Sequence, residues 1–105
     1  MIVYEVNLFV QRAIEAPYRA WLEDHIRAIL ALPGFIDVQA YERSDPPGAP
    51  EELVLCLHYR LQDQAALDAY FRDHAARLRA DGVDRFGDRF RAERRVLRPT
   101  TIEHP

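Results

Sequence analysis

The chain has 105 residues, of which 49% are hydrophobic and 30% charged, and its formal net charge is −3. This length fits one domain with its own apolar core and leaves no room for a second. The acidic balance argues against a nucleic-acid surface, where a basic excess is the usual footprint. No stretch approaches the ~18 apolar residues of a membrane helix. We therefore expect neither nucleic acid nor membrane among its partners.

Cysteine usage and the first residues bear on the compartment. Cys56 is the only cysteine, so no internal disulfide can form. The N-terminal residues lack the basic segment and the long apolar run of a signal peptide. Both features are typical of a reducing compartment, and we predict a cytoplasmic location.

Hydrophobic periodicity predicts the first two elements. Residues 2–10 alternate with period two, which predicts a strand with Tyr4 on its apolar face. Residues 17–32 switch to a helical period, with apolar side chains at spacings of three and four. The Pro-Gly pair at residues 33–34 ends this helix.

Two further strands follow, joined by a proline-rich loop. Residues 35–43 alternate, and Ile36 is predicted on their apolar face. Residues 44–50 contain three prolines, which remove backbone donors and predict a loop. Residues 52–61 alternate again and place their leucines on one face. This order predicts an antiparallel pair of strands.

A second helix and a last strand complete the pattern. Residues 64–80 have a helical period, and Asp63 can cap the helix because its carboxylate accepts from first-turn N–H groups. We expect the Asp-Gly pair at residues 81–82 to end it. Residues 88–98 alternate and predict the fourth strand. Residues 99–105 form a short tail that we expect to be loose.

The element order β-α-β-β-α-β is that of ferredoxin-like domains. Residues 1–98 are therefore predicted to be one α+β domain with a four-stranded antiparallel sheet. Both helices are amphipathic and need an apolar sheet face to cover. The opposite face mixes acidic, arginine and aromatic side chains. We predict a homodimer in which two such polar faces meet and charges pair across the seam, and the alternative is a face left in water.

Two histidines lie on the inner stripes of the predicted helices, His25 on the first and His74 on the second. A neutral imidazole can accept a proton near neutral pH, so both are candidate general bases. The alternative is a half-buried histidine held by the backbone or by a carboxylate. No H-x-x-x-H or H-x-H spacing exists, and we predict no metal site and no resident cofactor.

Aromatic and arginine side chains supply the candidate ligand-binding residues. Tyr18, Trp21, Tyr70 and Phe71 could wall an aromatic pocket, although aromatic residues at helical spacing also build plain core. Tyr4 is a further candidate ligand-binding residue. Arg89 and Arg91 belong to a dense charged block before and within the last strand. Their guanidinium forks could hold a carboxylate or phosphate, and the alternative is a salt-bridged turn.

Several segments resemble one bacterial family. Residues 1–7, 21–26, 74–79 and 85–97 are similar to the domain of unknown function family DUF4286. The likeness covers residues 1–98, and the closing block is its most specific part. It implies the fold of the dimeric α/β-barrel superfamily, and it implies no activity.

Relatives in that superfamily include cofactor-free antibiotic-biosynthesis-type monooxygenases and haem-degrading monooxygenases. The haem-degrading type is similar in using an Asn on the first strand, a His on the second helix and a nearby Trp. Asn7 and His74 match the first two of these elements. Trp21 departs from the pattern because it lies on the first helix. The resemblance makes Asn7 a candidate ligand-binding residue without carrying haem chemistry to this chain.

Three classes of function stay open. The first is a small cytoplasmic homodimer that binds a small aromatic or acidic molecule. The second is a cofactor-independent monooxygenase or isomerase with a helix histidine as base, and the third is an interaction module with a filled interior. A cavity of about 300 Å³ or more between helices and sheet would favour the first two.

Overall fold

Four strands and the helices that cover them follow the predicted order, with the second helix divided in two. The computed structural model describes residues 1–104. Its strands are β1 (Ile2–Gln11), β2 (Phe35–Glu42), β3 (Glu52–Leu61) and β4 (Phe90–Leu97), and its helices are α1 (Glu15–Leu30), α2 (Gln64–Asp73) and α3 (Ala75–Phe86). Short 3₁₀ turns at Arg12–Ile14 and Gly87–Arg89 lead into α1 and β4. The α+β ferredoxin-like prediction is confirmed.

The sheet has the order β2-β3-β1-β4, and all neighbouring strands are antiparallel. Tyr4 on β1 lies opposite Tyr59 on β3 and Val96 on β4. Because side chains alternate along a strand, this register puts the apolar sets of the strands on one side. We call this side, under the helices, the inner face, and the opposite side the outer face.

The core lies between the inner face and the helices. Tyr4, Tyr59 and Leu53 are at most 1% exposed there, and Tyr18 of α1 is fully buried. Burying one such large apolar side chain contributes about 2 kcal/mol relative to leaving it in water. The molecule measures 42 × 39 × 17 Å. Its short axis is the thickness of one sheet and one helix layer, so the outer face has no second layer over it.

The start of β2 differs from the expectation for Ile36. Phe35 pairs with Leu61, whereas Asp37 pairs with Arg60, so a bulge lies between them. The bulge inserts an extra residue and reverses which side the preceding side chains take. Phe35 therefore packs on the inner face and Ile36 is 48% exposed. The prediction that Ile36 faces the core is wrong.

The second helix also differs from the expectation. It breaks at His74, whose backbone is not helical, and α3 then continues through Gly82 to Phe86. A Cβ atom at Gly82 would lie 2.9 Å from the Trp21 ring, so the glycine permits close packing of α3 on α1. The helix ends at Gly87, which has a φ of 60°. The prediction that residues 81–82 end the helix is wrong.

None of the helices within residues 1–104 combines the length and the apolar character needed to cross a bilayer. The tail at residues 98–104 has no helix or strand.

Candidate functional site

A cavity of about 300 Å³ lies between the inner face and the helices. Helix α1 lines it with Tyr18, Trp21, Leu22, His25 and Ile29. The remaining walls come mainly from the inner face, with Tyr70 of α2 and with Arg79 and Val83 of α3. This volume reaches the size that separates a ligand-binding interior from a filled one.

One wall of the cavity is a stacked aromatic pair. Trp21 and His25 are one helical turn apart on α1, and their ring centroids are 4.5 Å apart at 25°. Trp21 Nε1 donates a hydrogen bond to Asp81 of α3 at 2.7 Å. This bond orients the indole. Gly82, the residue after Asp81, has no side chain and therefore lets α3 pack closely against Trp21. The wall is therefore held from both helices.

His25 borders the cavity with its imidazole half-buried. Burial lowers the pKa of His25 below its ordinary value of 6.5, against a smaller opposing effect of the Asp81 carboxylate. The imidazole is therefore neutral at pH 7. In that form one ring nitrogen can accept a proton or a hydrogen bond from a bound molecule.

Two tyrosines that line the cavity have buried hydroxyls without a hydrogen-bond partner in the described chain. Tyr18 is fully buried and Tyr59 is 1% exposed, yet the hydroxyl of each is unpartnered. Burial raises the pKa of both hydroxyls, so both stay protonated and can donate. A buried hydroxyl without a partner costs about 1–3 kcal/mol. Such groups call for a functional explanation.

Two arginines bring positive charge to the cavity. Arg94 lies on the inner-face side of β4, where its neighbours two residues away are Ala92 and Val96. Arg79 of α3 donates to the Tyr4 hydroxyl at 3.0 Å, and its buried Nε has no partner. Within residues 1–104 neither guanidinium forms an ion pair with a carboxylate.

Six of the residues predicted for the site border this cavity. They are Tyr4, Tyr18, Trp21, His25, Tyr70 and Arg91. Burial raises the pKa of Tyr70 to about 12, so this hydroxyl is protonated as well. The guanidinium of Arg91 turns away from the cavity, lying 3.7 Å from the Phe9 ring centroid and donating to Glu93 at 2.8 Å.

Three other predicted residues lie elsewhere. Asn7 is on the outer face and donates to Glu5. His74 is at the junction of α2 and α3, where Arg77 donates to its Nδ1 at 2.8 Å. Arg89 is exposed in the turn before β4. These side chains are not brought together with His25.

Sequence reasoning did not include Tyr59, Arg79 or Arg94 among the site residues. An arginine between Ala92 and Val96 on the apolar side of a strand is a signal that could have identified Arg94. Tyr59 continues a stripe of leucines and carries no such signal. Arg79 belongs to a charged helix surface, and its reach to Tyr4 depends on tertiary packing.

The outer face has a separate hydrogen-bonded network around Glu5. The Glu5 carboxylate accepts from Arg95 Nε at 2.6 Å and from Asn7 Nδ2 at 2.8 Å, and His58 Nε2 lies 2.9 Å away. Glu5 is 4% exposed. The hydrogen bond from Arg95 outweighs desolvation and holds the pKa of Glu5 at about 2. The network stabilises a buried charge between β1, β3 and β4.

Glu5 and two neighbours also have the spacing of metal ligands. Glu5, Cys56 and His58 present ligand atoms within 4.8 Å of one another. Arg95 already neutralises Glu5, and its charge opposes a cation at this point. Desolvation raises the pKa of the Cys56 thiol, which disfavours the thiolate that a metal requires. Glu5 and His58 of this cluster are already hydrogen-bonded within the chain.

The strand order and the helix layer define the fold class of the protein. An antiparallel β2-β3-β1-β4 sheet with helices over one face is the ferredoxin-like fold of antibiotic biosynthesis monooxygenases. A family model matches residues 1–100, and the chain belongs to the family described as domain of unknown function DUF4286. This match confirms the resemblance of residues 1–98. A search of curated proteins gave no match.

Solved structures with the same fold include three from bacteria. A protein of Deinococcus radiodurans, provisionally assigned as an antibiotic biosynthesis monooxygenase, has a TM-score of 0.72 at 11% identity, covering 100% of this chain and 98% of its own. SnoaB of Streptomyces nogalater, a cofactor-independent oxygenase, has a TM-score of 0.68 at 13% identity, covering 96% and 95%. HapK of Hahella chejuensis has a TM-score of 0.65 at 17% identity, covering 100% and 98%. At these identities the likeness shows a shared fold.

Proposed function

We propose that the protein binds a small aromatic or acidic molecule in the cavity between the helices and the inner face. The observation that carries this proposal is the pair of unpartnered hydroxyls, Tyr18 and Tyr59, at a cavity walled by apolar side chains. A few polar groups in an apolar concavity are the usual composition of a ligand site. A volume of about 300 Å³ favours this function over an interaction module with a filled interior.

Isothermal titration calorimetry with 1-naphthoate and 1-naphthamide tests the proposal. We expect at least one of these compounds to bind with one-to-one stoichiometry. Ala92→Phe, which fills the cavity from β4, should weaken that binding at least about tenfold, a loss of ~1.4 kcal/mol. Ala76→Phe on the exposed side of α3 is the matched control. Absence of binding by both compounds, or equal binding by the Ala92 variant, would contradict the cavity as the site.

We further propose that two copies associate through their outer faces. The face carries acidic and basic groups in equal number, which suits the self-complementary interface of a symmetric dimer. These groups are Glu5, Asp37, Glu52, Glu93, Arg43, Arg60, Arg91 and Arg95. Six of them pair within one chain, as Glu5–Arg95, Asp37–Arg60 and Arg91–Glu93. We therefore propose that the two faces attract each other through these neutralised pairs and through exposed rings such as Tyr41, which is 49% exposed.

Sedimentation velocity over a series of protein concentrations tests this association. Tyr41→Asp places a charge within the proposed interface and should raise the dimer dissociation constant at least about tenfold. Ile102→Asp is the control, because Ile102 is 74% exposed in the tail. A wild-type protein that stays monomeric at high concentration would overturn the dimer while leaving the cavity proposal intact.

A second candidate function is a cofactor-independent enzyme with His25 as general base. The observation that favours it is the neutral imidazole at the cavity, stacked on Trp21. Such a base can take a proton from an acidic C–H or a phenol, leaving a carbanion or phenolate beside an imidazolium. SnoaB, which shares the fold, is a cofactor-independent oxygenase.

Proton exchange of 2-tetralone in D₂O, followed by NMR, measures this activity. His25→Gln should slow the protein-dependent exchange about 100-fold or more, whereas His104→Gln in the tail should not change it. Because burial lowers the pKa of His25, the active neutral form should persist below pH 6.5 and the rate should fall only at more acidic pH. An unchanged rate in the His25 variant would exclude this residue as the base.

A further inference from the structure

We propose that the ligand of the cavity is an aromatic anion, a planar ring system bearing a carboxylate or another oxyanion that pairs with Arg94. This inference rests on the proposed function and narrows its ligand class. It requires a cavity with uncompensated positive charge, polar hydrogen-bond donors and flat walls at once. Each of these three properties follows from different residues.

The positive charge comes from two elements on different sides of the cavity. Arg94 extends from the inner-face side of β4, is exposed, and has neither a hydrogen bond nor an ion pair within residues 1–104. Arg79 extends from α3 and is bonded only to a neutral hydroxyl, that of Tyr4. The Asp81 carboxylate, whose charge acts on His25, is already bonded to Trp21 and Arg85. The charge of the cavity walls is therefore not compensated from within the chain.

A bound oxyanion supplies what these groups lack. Guanidinium groups pair with carboxylates through strong charge-assisted hydrogen bonds. Burial raises the pKa of Tyr18 and lowers that of His25, and the charge of Arg94 is a smaller effect that opposes the first shift and adds to the second. A cationic ligand would be repelled by the same charge.

The hydrogen-bond donors are also matched to an acceptor ligand. The hydroxyls of Tyr18 and Tyr59 and the Nε of Arg79 are the buried polar side-chain atoms without a partner in the described chain. All three can donate, because the tyrosines are protonated and a guanidinium is always charged. Oxygen atoms of a carboxylate, a phenolate or a ring carbonyl would accept from them.

The walls favour a flat ring system over a flexible acid. Trp21 stacks with His25, and Tyr18 lies 5.4 Å from Trp21 and 5.2 Å from Phe90 between ring centroids. Offset-stacked and edge-to-face contacts with such rings add about 0.5–1.5 kcal/mol beyond simple burial. One or two fused rings are compatible with a volume of about 300 Å³.

Calorimetric titration of 1-naphthoate against its neutral amide, 1-naphthamide, tests the inference, because the two probes share shape but not charge. For the wild-type protein we expect the carboxylate to bind at least about tenfold more tightly. Arg94→Gln should bring the ratio of the two dissociation constants close to one. Arg98→Gln, which removes the same charge just beyond β4, should keep the ratio of the wild type.

The outcomes separate this inference from the function on which it rests. Equal binding of the two probes to the wild type would overturn the anion assignment and leave aromatic binding in place. Binding of neither probe would overturn both. A preference for 1-naphthoate that survives Arg94→Gln, or that is lost equally in Arg98→Gln, would remove Arg94 as the counter-charge. Arg94 is exposed, so its variant is expected to fold.

Discussion

Replacing Glu5 with glutamine is expected to lower the free energy of unfolding at pH 7 by about 2 to 3 kcal/mol. The carboxylate is 4% exposed and accepts hydrogen bonds from Arg95 and Asn7. These donors hold its pKa at about 2 instead of the ordinary 4.5. At ~1.4 kcal/mol per pKa unit this difference corresponds to about 3 kcal/mol in favour of the charged form. Glutamine keeps the shape of the side chain and loses that interaction.

The lowered pKa of Glu5 also predicts that the free energy of unfolding depends on pH. Because the folded-state pKa of Glu5 is lowered, its contribution is fully present above about pH 4.5 and is lost as the pH falls toward 2. The wild type should therefore lose stability through this window. The glutamine variant, having no carboxylate to protonate at this position, should lose less.

Urea denaturation at two protein concentrations measures both effects and separates folding from association. Glu93→Gln is the matched control, because Glu93 lies opposite Asn7 on the same face but is 65% exposed in its pair with Arg91. An exposed pair of this kind contributes about 0–1 kcal/mol. Equal losses for the two variants would show that the Glu5 network does not stabilise the fold.

Replacing Tyr18 or Tyr59 with phenylalanine should stabilise the protein without ligand by about 1 kcal/mol each. Each hydroxyl is buried and unpartnered, and removing such a group relieves a desolvation cost of about 1–3 kcal/mol. The ring and its packing are kept. The double variant should gain about 2 kcal/mol in the free energy of unfolding and bind 1-naphthoate about tenfold more weakly. Thermal unfolding with and without 1-naphthoate measures both quantities.

Tyr4→Phe is the matched control for this pair of substitutions. Tyr4 is as deeply buried as Tyr59, but its hydroxyl accepts from Arg79 at 3.0 Å. Removing it leaves that guanidinium N–H without its partner, so we expect a loss of about 1 kcal/mol instead of a gain. Destabilisation of the Tyr18 and Tyr59 variants as well would show that their hydroxyls have partners and would remove the observation that carries the proposed function.

The Tyr→Phe substitutions would then change the free energy of unfolding in opposite directions within one cavity. This difference would identify the functional part of the core. A core selected for stability alone has no reason to keep unpaired donors where phenylalanine packs as well. Proteins accept such groups where binding requires them. Binding of the proposed ligand would then offset the loss of stability that the unpartnered hydroxyls cause.

The sequence alone determined the fold class and much of the inner face. Period-two alternation identified the four strands, and a spacing of three and four placed His25, Trp21 and Tyr18 on one stripe of α1. These patterns are local, because the side chain's direction repeats every two residues in a strand and every 3.6 in a helix. A single bulge was enough to reverse the prediction at Ile36, since it changes the period that the reasoning assumes.

Tertiary structure decided where the candidate residues meet. His25 and His74 are equivalent in pattern, yet only His25 borders the cavity, because the second helix breaks at His74. The cavity itself depends on how closely α3 approaches α1. That distance is determined by the contact of Gly82 with Trp21, which are 61 positions apart in the chain. A cavity is the space that long-range packing leaves unfilled, and no local period encodes it. The same holds for Arg94 and Tyr59, whose uncompensated charge and unpartnered hydroxyl exist only once every neighbouring group has found its place.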